Sequence, residues 1–340
     1  MKKKVLVMRE VFDETLEYLA QHFEVTSNQA NVKYPPDEVA RRLQGMDAAV
    51  ITSSDRIDEA LLSRCPSLKA VCSASVGYNH IDVEACSRHG VMATNTPGVL
   101  TDSVADLAIG LTLATLRRLP EGVAMVRRGE WKGTHLKELL GQDLHHATVG
   151  IAGFGRIGQT IAKRLRGFDA TILYHSRHRV DAQIEQRLSA TYVSKDELLT
   201  QADVVILILP YTAQTHHFIG KAELEKMKHT AVLINMARGG VVDDAALAAA
   251  LAAGRIWAAG LDVYENEPNI TPALLELSNI VLTPHIASAT EHTRKGMAML
   301  AARNCVAALT TGKPPNLLNP EALAGNRIQQ VSLAESPGAQ

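Results

Sequence analysis

Cysteine is scarce in this chain: Cys65, Cys72, Cys86 and Cys305 are the only four in 340 residues, and they form no CxxC or other metal-ligand spacing. A chain of this length needs no disulfides to hold a core. The scarcity therefore argues against a disulfide scaffold or zinc module, no metal is expected, and a reducing cytoplasm is the expected compartment. Neither sign of charge dominates, since 35 Lys and Arg face 36 Asp and Glu. No global field draws the chain to nucleic acid or an anionic membrane, and neither partner is expected. Long apolar runs are missing as well. The longest buried-type run, Val204 to Leu209, falls far short of a membrane span. The apolar run Val5 to Met8 behind the first lysines stops at Arg9, too early for a signal peptide.

What is present is an ordinary globular composition, 46% hydrophobic and 21% charged, at a length that suggests about two domains. The first hundred residues alternate β-rich runs with helical patterns: Lys4 to Met8, Phe12 to His22, Phe23 to Ser27, Pro36 to Gln44, and so on to Val91–Thr94. Such alternation predicts a parallel doubly wound α/β sheet. Thr101 to Arg118 predicts a long helix, capped by Thr101 or Asp102 and too apolar around its circumference for a surface helix. Residues 119–146 look irregular. A second βα series runs from Ala147 to about Thr283, and the final helical stretch, Glu291 to Thr310, has no strand after it. That last helix is expected to return to the first domain. The expected division is 1–98 with 290–325 as one domain, 99–289 inserted between them, and 326–340 as a mobile tail.

The chain is organised around Val149-Gly-Ile-Ala-Gly-Phe-Gly-Arg-Ile-Gly158. A strand turns through Gly153, Gly155 and Gly158 into a helix expected over Gln159 to Leu165, and Ala170 to Tyr174 supplies the next strand. This context is what a dinucleotide pyrophosphate requires: a tight turn, close backbone approach and a helix N-terminus. A site for NAD usually follows its second strand with an acidic residue for the ribose hydroxyls. Here Tyr174-His-Ser-Arg-His-Arg179 offers none. Ser176 can donate a hydrogen bond to a 2′-phosphate, and Arg177 or Arg179 can pair with it, so NADP(H) is expected in preference to NAD(H).

Three further strands deliver polar residues to their C-terminal ends, the rim where open α/β sheets bind ligands. Ala231 to Gly240 brings Arg238, Ala258 to Asp262 brings Asp262 with Glu265 and Glu267 beyond, and Ile280 to His285 ends in a histidine. Hydride transfer to a carbonyl needs an acid for the forming alkoxide and a cation for an adjacent carboxylate. His285 suits the first task with Glu267 orienting it, and Arg238 suits the second.

At these residues the chain resembles the D-isomer-specific 2-hydroxyacid dehydrogenases. The resemblance rests on Gly153-Phe-Gly-Arg-Ile-Gly158, Asn235 to Asp243, Gly260 to Pro268 and Thr283 to Ser288, and it extends to about residue 320. It implies two doubly wound parallel-sheet domains, a Rossmann nucleotide domain inserted into a flavodoxin-like substrate domain. It implies that Arg238, Glu267 and His285 are catalytic, with Asp262 holding the nicotinamide amide. By the same resemblance Arg156 and Ile157 lie at the pyrophosphate, Thr101, Pro210, Thr215, Met236, Ala237 and Ser288 border the cofactor, and Val76 and Gly77 bind the substrate carboxylate through backbone N–H groups. Within the family the basic turn resembles that of the NADPH-dependent glyoxylate, hydroxypyruvate and 2-ketogluconate reductases, which implies (R)-2-hydroxy acid products. Homodimerisation through the nucleotide domain is implied too, with 119–146 as the contact segment. The alternatives are a phosphite dehydrogenase, against which Val76 stands where that group has lysine, and a dinucleotide-sensing, corepressor-like binding protein. Formate dehydrogenases lack the role of Glu267. Position 134 is threonine, where an aromatic often borders the substrate.

Overall fold

A computed structural model describes residues 2–323, so the expected tail at 326–340 lies outside the described residues. The chain divides into two compact units, Met1–Leu100 with the chain from Thr290 onward, and Thr101–Ala289.

The first unit builds its sheet from β1 (Lys4–Val7), β2 (Glu24–Ser27), β3 (Ala48–Ile51), β4 (Ala70–Ser73) and β5 (Met92–Thr94). All pair in parallel in the order β2-β1-β3-β4-β5. Between them run α1 (Asp13–His22), α2 (Pro36–Leu43), α3 (Glu59–Leu62) and α4 (Val83–Arg88). Alternation across the pleat sorts the core into two layers. Leu6, Met8, Ala49, Ile51 and Val71 pack with Ala40, Leu43, Leu61 and Ala85 on one face. Val5, Val7, Val50, Cys72 and Met92 pack on the other with Leu19 and with Ala301, Ala302, Cys305, Ala308 and Leu309 of the last helix, Glu291–Thr310. The small side chains of that helix let it lie close on the sheet.

The second unit begins with α5 (Thr101–Leu116) and α6 (Leu119–Arg127), followed by β6 (Thr148–Ala152), α7 (Arg156–Leu165), a short 3-10 turn at Arg166–Phe168, and β7 (Thr171–His175). Next come α8 (Ala182–Leu188), β8 (Ala190–Tyr192), α9 (Lys195–Gln201), β9 (Val204–Leu207) and α10 (Lys221–Lys226). The unit closes with β10 (Val232–Asn235), α11 (Asp244–Ala252), β11 (Ala258–Leu261), α12 (Pro272–Leu275) and β12 (Ile280–Leu282); the last helix of the chain, in the first unit, is α13. Its seven parallel strands run β12-β11-β10-β9-β6-β7-β8. Strand order reverses between β6 and β9, which pair as Val149↔Val204 through Ala152↔Leu207. That reversal opens a crevice at the carboxyl ends of the strands.

Three local expectations need correction. Residues 119–127 form a helix, where irregular chain is expected: Arg118 turns left-handed at φ +51 and Pro120 opens the new helix within its first turn. Helix α7 begins at Arg156, three residues before the expected Gln159, directly on the glycine turn. Neither Thr101 nor Asp102 caps α5, because both lie inside it. Asp102 instead pairs with Arg164 of α7 at 3.0 Å.

Candidate active site

The turn after β6 shows what each glycine is for. Gly153 has φ +98, and a Cβ there would lie 2.5 Å from the carbonyl oxygen of Ile208. At Gly158 a Cβ would lie 2.2 Å from the oxygen of Gly153. Gly155 differs, because nothing lies within 4 Å of where its Cβ would stand and its φ of −74 suits any residue. Its missing side chain leaves open space before α7, whose first N–H groups have no side-chain cap. Unpaired N–H groups and the positive end of the helix dipole make this cradle fit a pyrophosphate. Arg156 is exposed at its mouth, with Ile157 half-buried beside it.

Phe154 stacks on the buried Tyr174 at 4.0 Å, which ties the turn to β7. The phenol of Tyr174 donates to Glu185 Oε1 at 2.6 Å, and Arg179 donates to both oxygens of Glu185 at 2.8 Å. Arg179, and then Tyr174, hold the Glu185 carboxyl down at about 2. The two arginines of the basic turn are thus unlike. Arg179 is engaged in a bidentate pair with a carboxylate six residues on, whereas the exposed Arg177 makes no hydrogen bond or ion pair among the described residues. Ser176 donates to the His178 carbonyl at 2.5 Å.

After β9, Thr215 Oγ1 donates to the carbonyl of Pro210 at 2.7 Å, closing a turn at the same rim. Met236 and Ala237 are buried just past β10, and the Ala237 N–H is held by Asn235 Oδ1 at 3.1 Å. Arg238 follows, with Nη1 donating to the Ala237 carbonyl at 2.7 Å. Burial pushes the pKa of its guanidinium down, and the charge of Glu267 acts in the opposite sense.

His285 Nδ1 lies 2.8 Å from Glu267 Oε2, while Glu267 Oε1 accepts the Tyr264 N–H at 3.0 Å. Burial would raise the Glu267 carboxyl. The hydrogen bond and charge of His285, the Tyr264 N–H and the charge of Arg238 together outweigh burial and hold it below its ordinary value. A carboxylate acceptor assigns the proton to Nδ1, which leaves Nε2 as the exchanging nitrogen.

The backbone of His285 is left-handed at φ +52, a conformation that a non-glycine residue holds only when its surroundings impose it. Asp262 supplies the constraint. Its Oδ1 accepts from Thr283 Oγ1 at 2.6 Å and from the Ile286 N–H at 2.8 Å, and its Oδ2 accepts from the Ala287 N–H at 2.9 Å. Ser103 of α5 donates to the Ala287 carbonyl at 2.7 Å. Tyr264 Oη adds a bond to the Thr283 carbonyl at 2.8 Å. Thr101 is half-buried at the start of α5, and Ser288 is half-buried just past the loop. Besides the contact with the cofactor amide expected of it, Asp262 serves the loop that carries His285 with both oxygens, and Oδ2 accepts a single bond, which leaves a lone pair for an amide.

In the first unit the loop after β4 turns three successive carbonyls onto the protein. Ser75 O accepts the Thr96 N–H at 2.9 Å, Val76 O accepts Asn95 Nδ2 at 2.8 Å, and Gly77 O accepts Ser75 Oγ at 2.8 Å. The N–H groups of Val76 and Gly77 have no acceptor among the described residues. Adjacent free N–H groups of this kind suit a carboxylate.

His216, His217 and Glu265 each bring one ligand-type atom within 4.8 Å of the others. The two imidazoles, however, stack face to face at 3.9 Å, so an ion could not lie in both ring planes, and His217 Nε2 already bonds Glu265 at 2.9 Å. His217 thus ties Glu265 in place. Among the described residues no helix is long and apolar enough to cross a membrane.

Glu185 and Asn95 carry no mark in the sequence, and only the position of Asn95 directly after a strand could have drawn attention. Tyr264 lies within the Gly260 to Pro268 motif, but its bonds to Glu267 and to the Thr283 carbonyl are not legible there.

A glycine-bound dinucleotide cradle, with an arginine, a glutamate and a histidine at the strand ends of the same sheet, defines an NAD(P)-dependent oxidoreductase acting on CH–OH groups. Residues 109–287 match the family model described as D-isomer specific 2-hydroxyacid dehydrogenase, NAD binding domain, and the chain belongs to that family. It is 45% identical to the glyoxylate reductase of Thermococcus onnurineus over 95% of this chain and 98% of that one. It is 43% identical to glyoxylate/hydroxypyruvate reductase B of Klebsiella pneumoniae, over 94% of this chain and 99% of the other. Among solved structures it is similar to an NADPH-dependent glyoxylate/hydroxypyruvate reductase from Sinorhizobium meliloti in complex with NADP and malonate. That likeness has a TM-score of 0.83 and 35% identity, and covers 95% of this chain and 98% of that chain. The cofactor class of this family is a nicotinamide dinucleotide.

Proposed function

We propose that the chain reduces glyoxylate and hydroxypyruvate, with 2-ketogluconate as a third substrate, to (R)-2-hydroxy acids, using NADPH in preference to NADH. The observation that carries the reading is the His285–Glu267 pair at 2.8 Å, with Nδ1 committed and Nε2 open, in a sheet whose β10 rim ends in Arg238. When bound, the cofactor supplies a hydride to the carbonyl carbon. His285 Nε2 gives a proton to the forming alkoxide, so carbonyl plus hydride plus proton yields the hydroxyl. Glu267 keeps the imidazolium oriented and compensates its charge. Arg238 holds the 2-oxo acid through its carboxylate or carbonyl oxygen, and its burial strengthens that attraction. Val76 and Gly77 bind the carboxylate by their free N–H groups.

Support for NADPH comes from the basic turn, where Arg177 is unpaired among the described residues and no acidic side chain follows β7 before Asp181. Gly153, Gly155, Arg156, Ile157 and Gly158 hold the pyrophosphate in this reading. Ser176 and Arg177 read the 2′-phosphate, while Thr101, Pro210, Thr215, Met236, Ala237 and Ser288 line the rest. Initial rates of NADPH and NADH oxidation with the three acids test the proposal. Turnover with an NADPH preference is expected; cofactor binding without turnover of any of the three would overturn it.

The same reading gives α6 a partner, a second copy of the chain. None of its residues is buried. Leu119, Val123 and Val126 share one helical face, and with Trp131, Leu136 and Leu140 they are 50–94% exposed. Exposed apolar side chains gathered on one helical face suit an association site. Light scattering at micromolar concentration is expected to read a dimer, and a monomer would remove this part of the proposal.

A further inference from the structure

Asn304 lies in the middle of α13, fully buried among Ala301, Ala302, Cys305 and Ala308. An amide in such a place is tolerated only when both its ends are hydrogen-bonded. Here Nδ2 donates to the backbone carbonyl of Asn95 at 3.0 Å, and Oδ1 accepts from Asn316 Nδ2 at 3.1 Å. Asn95 is itself buried at 8% exposure, and its N–H reaches the Asn316 carbonyl at 3.4 Å. Its side chain continues the series by donating to the carbonyl of Val76. Three asparagines thus run from the last helix and the chain beyond it to the loop that carries the free N–H groups.

We propose that Asn95, set in place by Asn304 and Asn316, is the positioning residue that aims the Gly77 N–H at the substrate carboxylate, beside the Val76 N–H whose direction is fixed by the Thr96 N–H on the Ser75 carbonyl. This rests on the reading of Val76 and Gly77 given above. The physical reason is the planarity of the peptide unit. The carbonyl of Val76 and the N–H of Gly77 belong to one rigid plane and point in opposite directions. Fixing that carbonyl against Asn95 fixes the direction of the N–H. Ser75 Oγ does the same for the next carbonyl and is itself held by Ser73 Oγ at 2.7 Å. Neighbouring carbonyls would otherwise be free to rotate outward and present oxygen to an anion. Asn95 touches neither cofactor nor reacting atoms in this scheme, so its effect falls on substrate binding.

The test is steady-state kinetics of Asn95→Leu, which keeps size and neutrality but removes the donor, with glyoxylate as varied substrate at saturating NADPH. KM for glyoxylate is expected to rise about 10- to 100-fold, the range for one lost hydrogen bond to a binding loop, with kcat within about threefold and NADPH affinity unchanged. The milder Asn316→Ala, which loosens Asn304 without touching the loop, is expected to raise KM in the same direction by a smaller factor. It keeps the test intact where Asn95→Leu fails to fold. An unchanged KM in both variants would overturn the proposal, as would equal losses in kcat and NADPH affinity, which mark general destabilisation. A wild-type chain that binds NADPH and turns over no 2-oxo acid would overturn the underlying reading and take this proposal with it.

Discussion

The carboxylate of Asp262 offers the sharpest test of how the His285 loop is held. It is 1% exposed and accepts three hydrogen bonds from residues 283–287. Asp262→Asn keeps the shape and changes one acceptor into a donor. The amide oxygen can retain Thr283 and Ile286 as neutral bonds, but the amide nitrogen then faces the Ala287 N–H at about the same separation. One charge-assisted bond is lost, a buried N–H is left unpaired, and two bonds weaken from charged to neutral. Together these cost about 2–4 kcal/mol. Solvent screening does not reduce the figure, because the group is buried. The loss falls on the loop that imposes the left-handed backbone at His285, so kcat/KM with NADPH and glyoxylate is expected to fall about 30- to 1000-fold. A parallel fall of about 5–15 °C in Tm is expected for a unit of this size. Kinetics and calorimetry on one preparation read both. A variant with kcat/KM within twofold of wild type and an unshifted Tm would refute the claim that Asp262 holds the loop.

Three further outcomes follow from the site. His285→Ala should cut turnover by about 10²–10⁴ while NADPH binding by fluorescence titration persists, and retained turnover would remove His285 as the acid. Arg177→Ala should weaken NADPH by about 1–3 kcal/mol with NADH unaffected, whereas Arg179→Ala should leave the NADPH/NADH ratio nearly unchanged because Glu185 already engages it; equal losses for both cofactors in Arg177→Ala would exclude it as the phosphate reader. Glu267 is depressed in the folded chain, so its contribution to stability is complete above its unfolded value near 4.5 and is lost as pH falls through the lower folded value. A stability-versus-pH curve should lose this contribution below about pH 4.5 in the wild type and show a smaller acid loss in Glu267→Gln; identical curves would contradict the pairing.

Much of the fold was legible because buried parallel strands announce themselves as short apolar runs: Val204 to Leu207 and Val232 to Asn235 stand where the runs are. The final helix was legible over its full length, Glu291–Thr310, from its uninterrupted pattern. Helix α6 was not, because Gly122 weakens its propensity and its apolar stripe faces outward. At the site, residue types at strand ends were legible, but what they do to each other was not. The Glu185 that engages Arg179, and the Asp262 oxygens that engage residues 283–287, are choices of partner made by tertiary geometry. Nothing in local pattern distinguishes Arg177 from Arg179.

The placement of α13 also orders events in time. Ala301, Ala302, Cys305, Ala308 and Leu309 cover one face of the sheet formed by the first hundred residues. On a ribosome that sheet emerges first, yet its apolar face lacks this cover until about two hundred further residues have been made, roughly 10–40 s later at ordinary elongation rates. The unit spanning Thr101–Ala289 is one continuous segment and can complete its core in the meantime. The unit whose synthesis begins first is therefore the unit finished last, and its exposed face during that interval is where a chaperone has most to protect.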